Sequence, residues 1–247
     1  MAKNKKPASV VPASKKGQTN QPVSGKDDIG AFLEKVRSMP PANKPGEGGR
    51  LIFAMDATMS RQPTWDRAQH LQAEMFEETA KIGGLDVQLI YFRGFGECRA
   101  SKWVANARAL ADLMTKVDCR GGHTQIRKVL SHIKREGAKH QVSAVVYVGD
   151  AMEEDVDHLC NLAGEIGLMG VPVFMFQEGQ DPVAERAFRE IARLTRGAWC
   201  RFDSSSAQQL RELLSAVAVY AAGGRTALAD YSRSKGSDVA GLLEQLN

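Results

Sequence analysis

The sequence predicts an α/β domain: a doubly wound, mainly parallel six-stranded sheet with one antiparallel edge strand and helices on both faces. Three observations carry this. Short apolar runs alternate along the chain with stretches whose apolar residues recur at helical spacing. The runs over 51–55 and 145–148 are continuously apolar rather than alternating, as in strands covered on both faces. Strands separated by helices imply right-handed crossovers and therefore parallel pairing.

The elements follow in chain order. Residues 1–26 carry Lys3, Lys5, Lys6, Lys15, Lys16 and Lys26 and no acidic residue, with Pro, Ser, Asn and Gln between them. Such a segment cannot bury enough apolar surface to offset its ordering entropy, so a disordered basic tail is expected. A basic arm toward acidic protein, lipid or RNA is the other use of that composition. Over 27–40, Asp27 and Asp28 precede Ile29, Phe32, Leu33, Val36 and Met39, a short amphipathic helix with acids at its N-terminus, stopped by Pro40-Pro41. Residues 41–49 read as a Pro/Gly-rich linker.

The domain proper is predicted over 50–222. Strands are expected at 50–56, 86–92, 97–101, 142–148, 171–176 and 198–202. Gly94 and Gly96 make the tight turn into 97–101, which pairs antiparallel at the edge. Helices are expected at 63–81, with Pro63 in the first turn and Trp65, Leu71, Met75 and Phe76 inward, and at 102–117, with Trp103, Ala107, Leu110, Met114 and Val117 inward. Further helices are expected at 124–136, at 155–168, from Asp181-Pro182 to about Arg196-Gly197, and at 207–222. Residues 223–247 read as a mostly polar tail with a short helix over 239–246.

Composition removes several function classes. A length of 247 residues with 43% hydrophobic content allows one domain with a substantial core plus tails. No apolar stretch approaches the ~18 residues of a membrane span, and no apolar segment follows the N-terminal lysines as a secretory signal requires. Cys98, Cys119, Cys160 and Cys200 are scattered with no C-x-x-C pair, which suits reduced thiols in a cytoplasmic protein. There is no G-x-x-x-x-G-K-[ST] loop and no Gly-x-Ser-x-Gly elbow, and Gly94-x-Gly96 leads to another strand rather than a helix. A net charge of +4, 6% aromatics and no basic-aromatic interleaving in the domain speak against nucleic acid as a partner.

The chemistry concentrates where the first strand ends. Asp56, Thr58 and Ser60, on alternate residues after the run Leu51-Ile52-Phe53-Ala54-Met55, offer three hard oxygen donors around one point. Such a point suits Mg²⁺ or Mn²⁺. Thr124, after Gly121-Gly122-His123, and Asp150, after Val145-Val146-Tyr147-Val148-Gly149, can complete it, because ligands of open α/β sheets gather beyond the carboxyl ends of the central strands. Each residue also has a plain structural account: a strand end and helix cap for Asp56, Thr58 and Ser60, an N-cap for Thr124, and a turn before Glu153, Glu154 and Asp155 for Asp150.

The set Asp-x-Thr-x-Ser, Gly-Gly-x-Thr and strand-terminal Gly-Asp resembles the metal-ion-dependent adhesion site (MIDAS) of von Willebrand factor type A (VWA) domains, over roughly residues 48 to 222. The resemblance implies direct metal contacts from Thr58, Ser60 and, in some states, Thr124, with Asp56 and Asp150 acting mainly through water. Thr58 stands where that family more often has serine. A non-catalytic protein-interaction module is implied, whose divalent cation takes an Asp or Glu carboxylate from a protein partner. Intracellular bacterial members imply an adaptor role, with an AAA+ ATPase as a candidate partner. Two other readings share some of these residues. A haloacid-dehalogenase-like phosphatase would use Asp56 as nucleophile, Gly149-Asp150 with Asp155 for Mg²⁺, and Lys134, but Thr58 replaces its second aspartate. An RNA-binding, ribonucleoprotein-associated type A protein is the third.

Overall fold

The computed structural model describes residues 26–39, 48–62, 65–66, 84–202 and 207–245. The basic tail up to residue 25, most of the linker, and most of the helix expected at 63–81 lie outside the described residues. Six strands form one sheet: β1 (Gly49–Asp56), β2 (Leu85–Arg93), β3 (Glu97–Ala100), β4 (Ala144–Gly149), β5 (Val173–Glu178) and β6 (Trp199–Phe202), in the order β3-β2-β1-β4-β5-β6. Only β3 runs antiparallel. The predicted architecture is thus the observed one. The winding direction reverses between β1 and β4, so the crevice for a ligand lies where Asp56 and Gly149 end their strands.

Alternation along β1 sends Leu51, Phe53 and Met55 to one face and Ile52 and Ala54 to the other. Helices α1 (Lys26–Ser38), α2 (Ala107–Met114) and α6 (Ala207–Gln245) cover the first face. Helices α3 (Ile126–Gly137), α4 (Val156–Leu168) and α5 (Pro182–Leu194) cover the second. The sequence left open what α1 docks on. It lies on the domain itself, with the Phe32 ring 5.9 Å from Phe174 and 5.5 Å from Phe176, and with α6 alongside. A Cβ at Gly49 would overlap the Ala221 carbonyl, so glycine there lets α6 close onto the start of β1.

Three elements differ from the sequence expectation. The helix expected at 102–117 spans only Ala107–Met114, because Val104 stays extended and exchanges backbone bonds of 2.8 and 2.9 Å with Val87. Asn106 then caps the helix by accepting from the Ala109 N–H at 2.8 Å. Trp103 is consequently not on the helix's inner face: it packs against the opposite face of the sheet and donates to Glu136 at 3.2 Å. Helix α3 begins at Ile126, not Thr124. The C-terminal tail is helical to Gln245, interrupted by Gly224 at φ 67°, ψ −159°. Gly223-Gly224 breaks the helix as its composition suggests, but a second helical stretch follows at once, with Leu228 buried.

Candidate metal centre

Asp56 closes β1 opposite Phe92 and is almost fully buried, at 1% exposure. The chain then leaves the sheet in a short 3₁₀ turn, Met59–Arg61. Thr58 sits at the capping position of that turn, yet its hydroxyl caps nothing. Its backbone N–H instead donates to Asp56 Oδ1 at 2.7 Å, and its Oγ1 lies 3.2 Å from Ser60 Oγ. The alternate-residue spacing therefore turns both hydroxyls to one side, above the aspartate.

The Gly-Gly-His-Thr loop is pinned beside this turn from two directions. Arg120 N–H donates to Ala57 O at 3.0 Å, and His123 N–H to Gly94 O at 3.3 Å. Gly122 makes the approach feasible, since a Cβ there would overlap the Gly94 backbone. The Gln125 amide adds bonds to the Arg93 and Gly94 carbonyls at 3.2 and 3.3 Å. Thr124 is not an N-cap. Its N–H donates to Glu153 Oε2 and its Oγ1 accepts from the Glu153 N–H, both at 3.1 Å. This reciprocal pair ties the loop to the segment after β4 and holds Thr124 beside Asp150.

Thr58, Ser60, Thr124 and Asp150 line one open pocket of ≈ 210 Å³, together with Gly121, Gly122 and Glu153. Four of the five candidate ligands thus share the pocket, and Asp56 is buried beside them, joined to Thr58 through that residue's N–H. Asp56 Oδ2 and Asp150 Oδ1 are buried and have no hydrogen-bond partner among the described residues. Such orphaned oxygens are rare in native proteins and mark a site for an ion or water. Among the described residues no three of His, Cys, Asp and Glu converge. The donors here are two carboxylates and three hydroxyls, which fit a hard dication and do not fit zinc. Glu153, read in the sequence only as an acid favouring a helix start, stands on the rim with His123 Nδ1 3.1 Å away. An acid three residues after Asp150 was the only available signal for it.

Electrostatics agree with the donor set. Burial pushes the Asp56 carboxyl up to about 6; the Thr58 hydrogen bonds pull against this, the like charge of Asp150 adds to it, and Arg61 opposes it. A bound cation would favour the ionised form. Arg61 is fully buried and ion-pairs with Glu178 at the end of β5. Burial lowers its pKa, while Asp150 and Asp56 act to raise it. The other arginines near the top are paired as well: the buried Arg93 with Glu97 at 2.9 Å and with Asp118, and the exposed Arg120 with Asp118 at 2.7 Å.

The phosphatase set is not assembled. Lys134 pairs with Glu165 across the outer surfaces of α3 and α4, and Asp155 caps α4 by accepting from the His158 N–H at 2.8 Å.

No protein-family model matches the sequence, and no curated protein is similar to it at a significant level. Solved structures are similar in fold. The SpRpn10 VWA domain superposes with a TM-score of 0.53 at 11% identity, over 68% of this chain and 94% of that one. A von Willebrand factor type A protein from Catenulispora acidiphila gives 0.53 at 14% identity, and proximal thread matrix protein 1 from the mussel byssus 0.55 at 12%, each over 68% of this chain. The match takes in 42% and 46% of those two longer chains. The chain has the von Willebrand factor type A fold.

Proposed function

We propose that this type A domain is a protein-interaction module that binds an acidic side chain of a partner through Mg²⁺, or Mn²⁺, at Asp56, Thr58, Ser60, Thr124 and Asp150. The observation that carries the reading is the pair of orphaned carboxylate oxygens, Asp56 Oδ2 and Asp150 Oδ1, set at one pocket with three hydroxyls. When bound, the cation supplies an electrophilic position for an incoming carboxylate. The chain's own residues do the rest. Thr58, Ser60 and Thr124 offer neutral oxygens, which leave the cation's charge unspent. Asp56 and Asp150 would supply the balancing negative charge, through water as the resemblance implies. Gly121 and Gly122 keep the mouth open for the partner. Because the domain alone leaves the shell incomplete, metal and partner affinity are coupled.

The finer reading, taken from the family resemblance, is an adaptor in a bacterial cytoplasmic assembly linked to an AAA+ ATPase. Two measurements test the proposal on the full chain. Calorimetric titration with MgCl₂ and MnCl₂ gives one-site binding that Asp56→Ala and Thr124→Ala weaken. Capture from native lysate retains partners in Mg²⁺ that EDTA releases and that Asp56→Ala fails to hold, with an AAA+ ATPase expected among them. Partners held equally in all three conditions reject the metal-dependent reading.

A further inference from the structure

A second pocket lies on the flank of the domain, where α3 overhangs the edge strand β3. Its volume is ≈ 340 Å³, and it shares no lining residue with the candidate metal site. Arg127, Lys128, Ser131, His132 and Arg135 line it from α3, Arg99 lines it from β3, and no carboxylate among the described residues lines it. Arg127, Ser131 and Arg135 are four residues apart along one helical stripe, which spans about 12 Å at ~1.5 Å per residue. We propose that this groove is a binding site for a phosphate monoester.

The nearest carboxylates are already engaged. Glu97 accepts from Arg93 at 2.9 Å and Arg99 at 2.7 Å, and Glu154 accepts from the Arg127 backbone N–H at 3.1 Å. Lys128 is held in place by the Gly96 carbonyl at 2.7 Å and Gln125 Oε1 at 2.9 Å, so its charge is fixed at the mouth. His132 is oriented by Gln88 Oε1 at 2.9 Å, with Arg135 3.5 Å from its Nδ1. The exposed guanidiniums of Arg127 and Arg135 supply planar forks that match a phosphoryl group, and the Ser131 hydroxyl lies between them. Among the described residues no Phe, Tyr or Trp lines the groove for a base to stack on, and the His132 ring is tied to Gln88, which favours a discrete phosphate over a single-stranded nucleic acid. Cys98 lies in the groove as well, but burial pushes its thiol up to about 11. It remains protonated and a poor nucleophile, so the groove binds rather than reacts.

The test uses the full-length protein without added metal. Inorganic phosphate is titrated at constant ionic strength, followed by ³¹P line broadening and by the imidazole resonances of His132. Saturable binding is expected, reduced about a hundredfold by Arg127→Gln/Arg135→Gln, since each of the two lost charge-assisted bonds is worth a factor of about ten. Ser131→Asp abolishes it by placing a carboxylate between the two forks. Arg108→Gln/Lys116→Gln, which removes two exposed cations elsewhere, leaves it unchanged. A phosphoserine peptide that binds tighter than inorganic phosphate, and tighter than its unphosphorylated form, identifies a phosphorylated partner as the source. Equal affinities identify a free phosphate compound. Absence of saturable binding, equal loss in the control variant, or tighter and steeply salt-dependent binding of a single-stranded RNA overturns the proposal.

Discussion

Replacing Asp56 by asparagine separates the cost of burying its charge from the benefit of binding a cation. The folded carboxyl titrates at about 6 against 3.8 in the unfolded chain. Because the folded pKa is raised, the native state keeps a proton that the unfolded state has released across the window between the two values. Stability therefore falls as pH rises from about 4 to about 6, and the loss persists above it. Two units at ~1.4 kcal/mol each amount to about 3 kcal/mol near neutral pH. Asparagine cannot ionise, yet its Oδ1 can still accept from the Thr58 N–H. In EDTA at about pH 8, Asp56→Asn is thus expected to be more stable than the parent by up to ~3 kcal/mol, with the gap closing toward about pH 4. Saturating Mg²⁺ reverses the order: a ligand at about 1,000 times its dissociation constant adds about 4.1 kcal/mol, to the parent alone. Urea unfolding of both proteins at the two pH values, with EDTA or Mg²⁺, reads every term. If the asparagine variant is the less stable in EDTA at the higher pH, or Mg²⁺ stabilises both proteins alike, the reasoning fails.

Gly122→Ala forces a methyl group into the Gly94 backbone, so a loss of about 1–3 kcal/mol in urea unfolding is expected, with weakened Mg²⁺ binding in calorimetry as Thr124 shifts. Phe32→Ala removes a buried ring from between α1 and β5 and should cost about 3–5 kcal/mol; a near-neutral denaturation midpoint would mean that α1 does not stay docked. Arg61→Met deprives Glu178 of its guanidinium and should cost about 3–5 kcal/mol, most of which Arg61→Met/Glu178→Gln restores in the same assay.

The fold class was legible in the sequence, and so was the place of Asp56 and Asp150 at the sheet's carboxyl edge, because both rest on local signals. Runs such as Leu51-Ile52-Phe53-Ala54-Met55 fix a strand buried on both faces, and the residue that ends such a strand is placed at the sheet's carboxyl edge whatever else the chain does. What escaped was decided by contacts distant in sequence. Val104 stays extended because Val87, seventeen positions earlier, offers it a ladder partner, and that alone shortens the following helix and turns Trp103 to the other face. Glu153 joins the rim through its exchange of hydrogen bonds with Thr124, a pairing across 29 positions that helical periodicity cannot register. Nothing local marks Arg61 as buried, because a buried arginine is recognised only by its partner, and Glu178 lies far along the chain on β5. Gly224 misled in a subtler way: the break is real, but the helix resumes after it.

The placement of Arg61 has a consequence for valence. Leaving aside the exposed rim acid Glu153, the formal charges of the buried and half-buried Asp56, Asp150 and Glu178 are three negative against the single positive of Arg61, a difference of two. A dication would bring that interior to neutrality, whereas a monovalent ion would leave a deficit and a trivalent one an excess. On the proposed reading, the choice among ions would rest on the domain's interior, on a side chain that offers no oxygen atom of its own.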